Sequence, residues 1–537
     1  MAMPALGPSR TAVTSDRSLR SYIHSDTTLR SDRHAAAVVQ TLVTSLGVVW
    51  FVASVIAVWP YTPDDAFISL RYARNFAAGN GLTFNVVGPP AEGYTSFLWV
   101  LLLAIPHRIG IDALSFAKLS STLAMFGCIL ATGSWARSIG RLQGRSELGL
   151  IGVGAAVLLA TLPATAAHAV SAMDTSLFAF LLTLFSWQLF VALATHDRSR
   201  MRWCAVLALT VGLTRPEGNL AVVTSLVVAV VMCSPEDRKA LLKSSGALYV
   251  VPGAAYMLWR CTFYGTLFPL PFYVKVAGHG SLAGLPTAKE FLTYVGLHFV
   301  VLLPLMVTRT PRALLPSCAA TLALFVFFLF PQPVMGYEWR FLFPLLPLVC
   351  AWAGSGTVRV LPWLESKGIG PLRYALVAAI LVSTVLNLIP DARESRDDLR
   401  AYAAGLTRAH VALGQELQRS TTQPKSPVLA IGDAGAVPYY SGWYTIDTHG
   451  LNNPVIARAK SYDAGYVLQQ RPDVLVLLSS SATTFVSKLD YEKDLYDAAL
   501  HAGMGRSDVL QFAPGYYLWV FESSQPTARE QAEAPPS

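Results

Sequence analysis

Long apolar runs separated by short polar connections dominate this chain. A membrane-spanning helix needs about 20 mostly apolar residues, whereas runs of about 10 to 14 more often lie in an interface or turn back. By that rule spans are expected at 35–59, 115–136, 148–168, 175–195, 244–263, 291–307, 313–330, 341–361 and 372–389. Two stretches fall between the classes. "FLWVLLLAIP" (97–106) is too short to cross and is flanked by Glu92, Tyr94, His107 and Arg108, which predicts a helix lying flat in the interface. "WCAVLALTVGLTRPEGNLAVVTSLVVAVVMC" is interrupted by Arg215, Pro216, Glu217 and Gly218, so it reads as one kinked span or two short ones.

The distribution of positive charge decides both cases, because short cytoplasmic loops collect Lys and Arg. With the arginine-rich start of the chain inside, "RSIGRLQGR", "HDRSRMR", "SPEDRKALLK", "RTPR" and "ESKGIGPLR" all face the cytoplasm only if 97–106 does not cross and the Arg215 segment crosses twice. The expected topology has about eleven transmembrane helices, a cytoplasmic N-terminus and an extracytoplasmic C-terminal portion, in an inner or plasma membrane. Asp64, Asp65, Asp174, Glu217, Lys275, Glu338 and Arg340 then all lie at outer span ends or in outer loops.

From this follows a division into a disordered cytoplasmic N-terminus (1–34), a transmembrane domain (35–389) whose first outer loop is 60–114, an extracytoplasmic α/β domain (390–522) and a disordered tail (523–537). In the polar portion, 428–431, 474–478 and 517–521 have the composition of short buried strands, and 399–420 has helical apolar spacing. The first apolar run is too long for a signal-peptide core and has no cleavage site, so it is expected to remain as an anchor. No internal repeat is visible.

Composition sharpens this picture. The 537 residues are 53% hydrophobic and 14% charged, against about 25% charged in soluble domains, as a polytopic membrane protein requires. The net charge of +8 sits in short clusters between apolar runs, which excludes a nucleic-acid surface. All six cysteines lie in apolar stretches without a CxxC pair, so neither disulfides nor a metal-thiolate site is expected.

Candidate chemistry gathers first in "YTPDDAFISLRYARNFAAGNG", just beyond the first span. "TPDD" is a helix-start signal, with Thr62 as N-cap, Pro63 at the first helical position and Asp65 placed to close an acidic capping box. Asp64 has no such structural duty, and carboxylates at a membrane edge are costly unless used or paired. At 100° per residue, Arg71 returns to the face of Asp64, and Gly79 and Gly81 end the helix.

"DDAFISLRYARNFAAGNGLTFN", "EGYTSFLW", "SAMDTSLFAFLL", "LTRPEG", "FYGTLFPLPFYVK", "WRFLFPLLPL" and "IGDAGAVPYYSGWYTIDTHGLNNP" occur in that order. Together they resemble the bacterial arabinofuranosyltransferase-like members of the C-type (GT-C) membrane glycosyltransferases, which include the terminal arabinofuranosyltransferases of mycobacterial cell walls. The resemblance runs from Tyr61 to about Pro454. It implies a polyprenyl-phosphate sugar donor, a glycan, glycolipid or protein acceptor in the cell envelope, an acidic pair in the first outer loop (here Asp64 and Asp65), a juxtamembrane helix (here 97–106) and an outer C-terminal domain. Where mycobacterial members read "GERVEANTS" this chain has "GPPAEGYTS", which leaves arabinofuranose and a hexose as alternative sugars. The resemblance also includes enzymes that make a β linkage from a β donor.

The residues themselves agree with that chemistry. A sugar on a polyprenyl phosphate carries its leaving group with it, so the site needs a base for the acceptor hydroxyl and cations for the departing phosphate. Asp64 is the expected base. Arg340 and Lys275, in aromatic surroundings ("GYEWRF", "FYVK"), are the first candidates for the phosphate, followed by Arg71 and Arg74; snorkelling at span ends is the alternative for all four. Glu92, Tyr94, Asp174, Arg215, Glu217 and Glu338 are further substrate-site candidates, Arg215 and Glu217 either pairing across a lipid groove or satisfying one another. "GDAGAV" departs from a dinucleotide loop and reads as a strand-to-helix turn. Scattered histidines offer no zinc spacing, while the acidic pair is able to hold Mg²⁺ or Ca²⁺ with waters. A transporter would show repeats and mid-membrane charges on several helices, and a non-catalytic assembly partner would have lost the acidic pair.

Overall fold

The structure is a computed structural model, and the residues it describes are 38, 40–142, 148–276, 282–299, 311–333, 335–353, 389–420, 427–459 and 462–523. Three described helices are long and apolar enough to cross a membrane: α1 (Gln40–Val58), α4 (Ala113–Leu142) and α7 (Thr175–Thr195). Between α1 and α4 the chain forms α2 (Asp65–Ala77) and α3 (Phe97–Ile109). At 1.5 Å per residue, α3 is about 20 Å long and too short to span, as its sequence predicts.

The expected span at 148–168 is instead a bent pair, α5 (Leu148–Thr161) and α6 (Pro163–Val170), turned by 69°. Pro163 removes a backbone donor and forces Leu162 into an extended conformation (ψ 133°), which breaks the helix at that point. The Arg215 segment is broken where its sequence indicates, into α8 (Arg198–Thr214) and α9 (Gly218–Met232). α10 (Pro235–Ser245) runs through a π turn at Gly246–Val250 into α11 (Val251–Tyr264), a single rod with one wide turn. α12 (Leu270–Val276), α13 (Leu285–Phe299), α14 (Leu315–Phe327) and α15 (Phe343–Ala353) follow. The expected span at 372–389, except its last residue, and parts of those at 35–59, 291–307 and 341–361 lie outside the described residues.

The membrane core is aromatic. Trp135, Phe178, Phe185, Phe190 and Phe343 are fully buried where α4, α7 and α15 meet. A second core joins α2 and α3 to Tyr264 and, from the far end of the chain, to Ala434 and Ala436.

After α16 (Ile389–Leu406), a π turn and α17 (Ala412–Ser420), the chain builds a five-stranded sheet. Its strands are β1 (Val428–Ile431), β2 (Tyr444–Asp447), β3 (Val474–Ser479), β4 (Met504–Ala513) and β5 (Tyr516–Ser523), in the order β2-β1-β3-β5-β4. β1 is parallel to β2 and β3, and β5 is antiparallel to both β3 and β4. β3 is buried along its whole length, with apolar clusters on both sheet faces, as expected of strands covered on both sides. α18 (Ala436–Ser441), α19 (Pro454–Arg458), α20 (Ala464–Gln469) and α21 (Asp490–His501) fill the connections.

Candidate active site

α2 lies between the membrane helices and the sheet, and its two leading carboxylates point to different sides. The 100° turn between neighbouring residues is the cause. Asp64 occupies the N-cap position of α2, but neither its side chain nor that of Thr62 caps the helix, and the expected capping box is absent. The Asp64 carboxylate is buried and caps a different helix. Its Oδ2 accepts from the backbone N–H of Gly435 at 2.9 Å and its Oδ1 from that of Ala436 at 2.7 Å, at the start of α18. Its own N–H donates to the Tyr402 hydroxyl at 3.2 Å. Burial pushes the acid up to about 7 against the neighbouring His410 and the Ala436 N–H, which favour the carboxylate. Burial alone would lower His410, yet its bond to Asp433 (2.9 Å) holds it above its usual value. Tyr516 also donates to Asp433, at 2.7 Å.

Arg71 shares the Asp64 face, as the helical spacing predicts, and it too serves docking instead of a phosphate. It donates to the carbonyls of Phe84 (2.7 Å), Trp443 (2.7 Å) and Pro438 and to Asn85 Oδ1 (2.9 Å). Arg74 donates to the Tyr439 carbonyl at 2.7 Å and stacks over the Tyr439 ring. Both guanidinium groups, ranked behind Arg340 and Lys275 for a phosphate, are committed to the sheet unit.

Asp65 faces a polar pocket lined by Ser69, Tyr94, Thr95, Ser96, Asp174, Lys275, Arg340 and Leu451. Arg340 Nη1 lies 3.3 Å from Asp65 Oδ2, and Arg340 Nη2 lies 3.7 Å from Asp174 Oδ1. Asp174 Oδ2 is 3.8 Å from Arg215 Nε, which contacts Glu217 Oε1 at 2.7 Å. The alternating chain Asp65, Arg340, Asp174, Arg215, Glu217 keeps these buried charges from standing alone. Arg215 and Glu217 pair with one another, and both also border the groove described next. The Lys275 ammonium has no hydrogen bond or ion pair among the described residues and rests on the Phe341 ring at 5.3 Å. Burial lowers its pKa to about 8, with Asp65 pulling the other way.

Thr95, Lys275 and Arg340 also line a groove of about 370 Å³ that opens from this pocket between Arg215, Glu217, Leu220, Phe268, Phe272, Phe328 and Phe341. Cations thus stand where a polar pocket meets an apolar groove. Arg340 Nε and Arg215 Nη1 are buried there without a hydrogen-bond partner among the described residues.

Three expected carboxylates divide similarly. Asp174 joins the pocket. Glu92 forms a two-pronged pair with Arg260 (2.7 Å each) away from it, and its carbonyl accepts from Leu270 N–H at 2.9 Å, tying down the helix that carries Lys275. Glu338 accepts from the Ser395 hydroxyl and has a left-handed backbone (φ 49°). The adjacent carboxylates have different partners, Asp64 the backbone N–H groups of Gly435 and Ala436 and Asp65 the Arg340 guanidinium. Among the described residues no three His, Cys, Asp or Glu side chains group as metal ligands.

Sequence reasoning missed Arg260 and Asp447. A charge inside the predicted span 244–263 was a usable signal for Arg260. Asp447 binds the N–H groups of His449, Gly450 and Asn452 at 2.8 to 2.9 Å and so shapes the loop that brings Leu451 to the pocket. Gly93 is required opposite that loop, since a Cβ there would collide with Asn452 Oδ1.

Residues 399–527 match the model of a domain of unknown function, DUF8728. The chain is 28% identical over 368 residues to the terminal β-(1→2)-arabinofuranosyltransferase of Mycobacterium tuberculosis, a match that takes in 64% of this chain and 55% of that protein. It thus spans about half the length of this curated relative. Its fold is that of ArnT from Cupriavidus metallidurans, bound to undecaprenyl phosphate in one crystal structure (TM-score 0.55, 13% identity, 90% of this chain and 97% of the other). The apo structure of the same protein matches equally (TM-score 0.55, 14% identity, 88% and 97%). The resemblance read from the sequence motifs is borne out by these relatives.

Proposed function

We propose that this chain is a membrane glycosyltransferase that moves a sugar, arabinofuranose in the first instance, from a polyprenyl-phosphate donor to an extracytoplasmic glycan, glycolipid or protein. The observation that carries the reading is the junction at Lys275 and Arg340, where a carboxylate pocket opens into an apolar groove. A polyprenyl chain fits the groove, its phosphate meets the cations, and its sugar enters the pocket beside Asp65. The arabinofuranosyltransferase relative supports the sugar, and the undecaprenyl phosphate in ArnT supports the lipid.

In this reading Asp65, instead of Asp64, is the base. Arg340 transfers its contact from Asp65 to the donor phosphate, which leaves the Asp65 carboxylate free to accept the acceptor hydroxyl's proton. The hydroxyl oxygen bonds to the anomeric carbon as the bond from that carbon to the phosphate oxygen breaks. The electron pair departs on the polyprenyl phosphate, held by Lys275, Arg340 and Arg215. A single displacement inverts the anomeric centre. A product of retained configuration would call for a second carboxylate as nucleophile, and Asp174 is the one in place.

The test is a purified-enzyme assay with synthetic polyprenyl-phosphate arabinofuranose and a hexose analogue. Asp65→Asn should lower turnover by about 10² to 10⁴-fold, the usual loss for a general base, with donor binding retained. Full turnover by Asp65→Asn would remove the base assignment, and transfer of the hexose alone would replace the sugar.

A further inference from the structure

A cavity of about 340 Å³ lies against the first membrane helix, apart from the charged pocket. It is bounded by Trp50, Ala53 and Val58 on α1, by Pro163 and Ala166 at the α5/α6 bend, and by Arg393 and Arg396 on α16. Its walls are apolar and its rim is cationic. The neighbouring outward face of α1 is bare, with Val49, Val52 and Ile56 exposed by 66%, 48% and 67%, so the cavity is open to whatever surrounds that helix, which in a membrane is lipid.

α16 separates its charges by face. With Arg393 at zero and 100° per residue, Arg396 falls near 300° and Arg400 near 340°, so the three arginines share a sector about 60° wide. Glu394 and Asp398 fall near 100° and 140°, outside that sector, while Asp397, near 40°, lies beside it. Arg400 Nε donates to the Ala57 carbonyl at 2.7 Å, pinning the basic stripe to the end of α1. Arg396 pairs with its neighbour Asp397 at 2.9 Å, and Arg393 has no hydrogen bond or ion pair among the described residues. The cavity shares no lining residue with the groove proposed for the donor.

We propose that this cavity binds an anionic glycerophospholipid, with its phosphate between Arg393 and Arg396 and an acyl chain along Ala53, Val58 and Ala166. The two halves of the cavity match the two halves of such a lipid. A soluble phosphate would leave the apolar walls wet, and a zwitterionic lipid would bring its ammonium group to the arginines. The site does not depend on the transfer activity and is tested without it.

The experiment uses the full-length protein in a neutral detergent, with 1-palmitoyl-2-oleoyl phosphatidylglycerol or the matching phosphatidylcholine added. Retained lipid is read by native mass spectrometry and stabilisation by thermal unfolding. Phosphatidylglycerol should be retained and raise Tm, while phosphatidylcholine should do neither. Each basic residue at a membrane surface contributes about 1 kcal/mol towards an anionic lipid, so Arg393→Gln with Arg396→Gln should weaken retention by at least about tenfold. Ala53→Phe, which fills the apolar half and spares the arginines, should do the same. Arg393→Lys with Arg396→Lys should retain the lipid, which separates lost charge from lost folding. Equal retention of the two lipids, or an unaffected Arg-to-Gln variant, would overturn the proposal. So would displacement by glycerol 3-phosphate, which would make it a bare phosphate site.

Discussion

Asp64 and Asp65 differ by one position and by everything around them. One is sealed against the backbone of the sheet unit, and the other stands 20% exposed beside Arg340. "TPDD" made the importance of the pair legible, but not which carboxylate faces the cleft. That choice depends on what docks against α2, and the partner loop lies 371 residues away. The same lesson holds for Arg71, whose face was foreseen and whose partners were not. Lys275 was legible through its aromatic setting, and it yields a pH prediction. On the proposed function it holds the donor phosphate, which needs the protonated ammonium, and its pKa is lowered to about 8, so donor affinity should be full below that value and be lost as pH rises through it. Donor KM should climb severalfold between pH 7 and 9, and Lys275→Arg, which keeps its charge throughout, should flatten the profile. A flat profile in the unmodified protein would remove Lys275 from the phosphate.

At the scale of elements, the contact between α2 and the turn before α18 joins the two halves of the molecule. Gly435 sits so close to Asp64 that a Cβ would collide with its carbonyl and its carboxylate. Gly435→Ala should cost at least the ~1 to 3 kcal/mol of an overpacked contact, and limited proteolysis should then release the sheet unit sooner. Unchanged cleavage would show that the contact tolerates separation. "GDAGAV" was readable as a turn from strand to helix because glycine marks it, and β1, β3 and β5 were readable from their apolar runs. β2 and β4 were not. "YTID" is short and ends in a carboxylate that ties a loop, and β4 is an edge strand with most of its first half exposed. The 69° bend at Pro163 was hidden inside a run apolar enough to pass for one span.

The molecule brings an apolar groove among its helices close to the five-stranded sheet unit, with one connected set of charges at the join. Apolar length and charge bias made the helical membrane class legible, but they could not show that distant segments close a single pocket. Arg215 lies within reach of both Asp174 and Glu217, so its loss should matter more than loss of either carboxylate. Arg215→Gln should reduce folded yield by a larger factor than Glu217→Gln, in the range of ~3 to 5 kcal/mol for a buried charge left uncompensated. The double variant should recover only part, because Asp174 remains. Size-exclusion profiles of tagged variants will rank the three, and a double variant as poor as Arg215→Gln would argue against pairing.

The bond from Gly435 to Asp64 spans 371 positions, and that separation is also an interval of time. At about 5 to 20 residues per second, the ribosome needs roughly 20 to 75 s after making Asp64 before it makes the residue that Asp64 holds. Throughout that interval the growing chain carries both aspartates, and later Lys275 and Arg340, without the cap on α18 or the Leu451 wall. Competence therefore arrives with the last quarter of the polypeptide. On the proposed function, a chain ended by a stop codon after residue 388 should still enter the membrane and yet transfer no sugar.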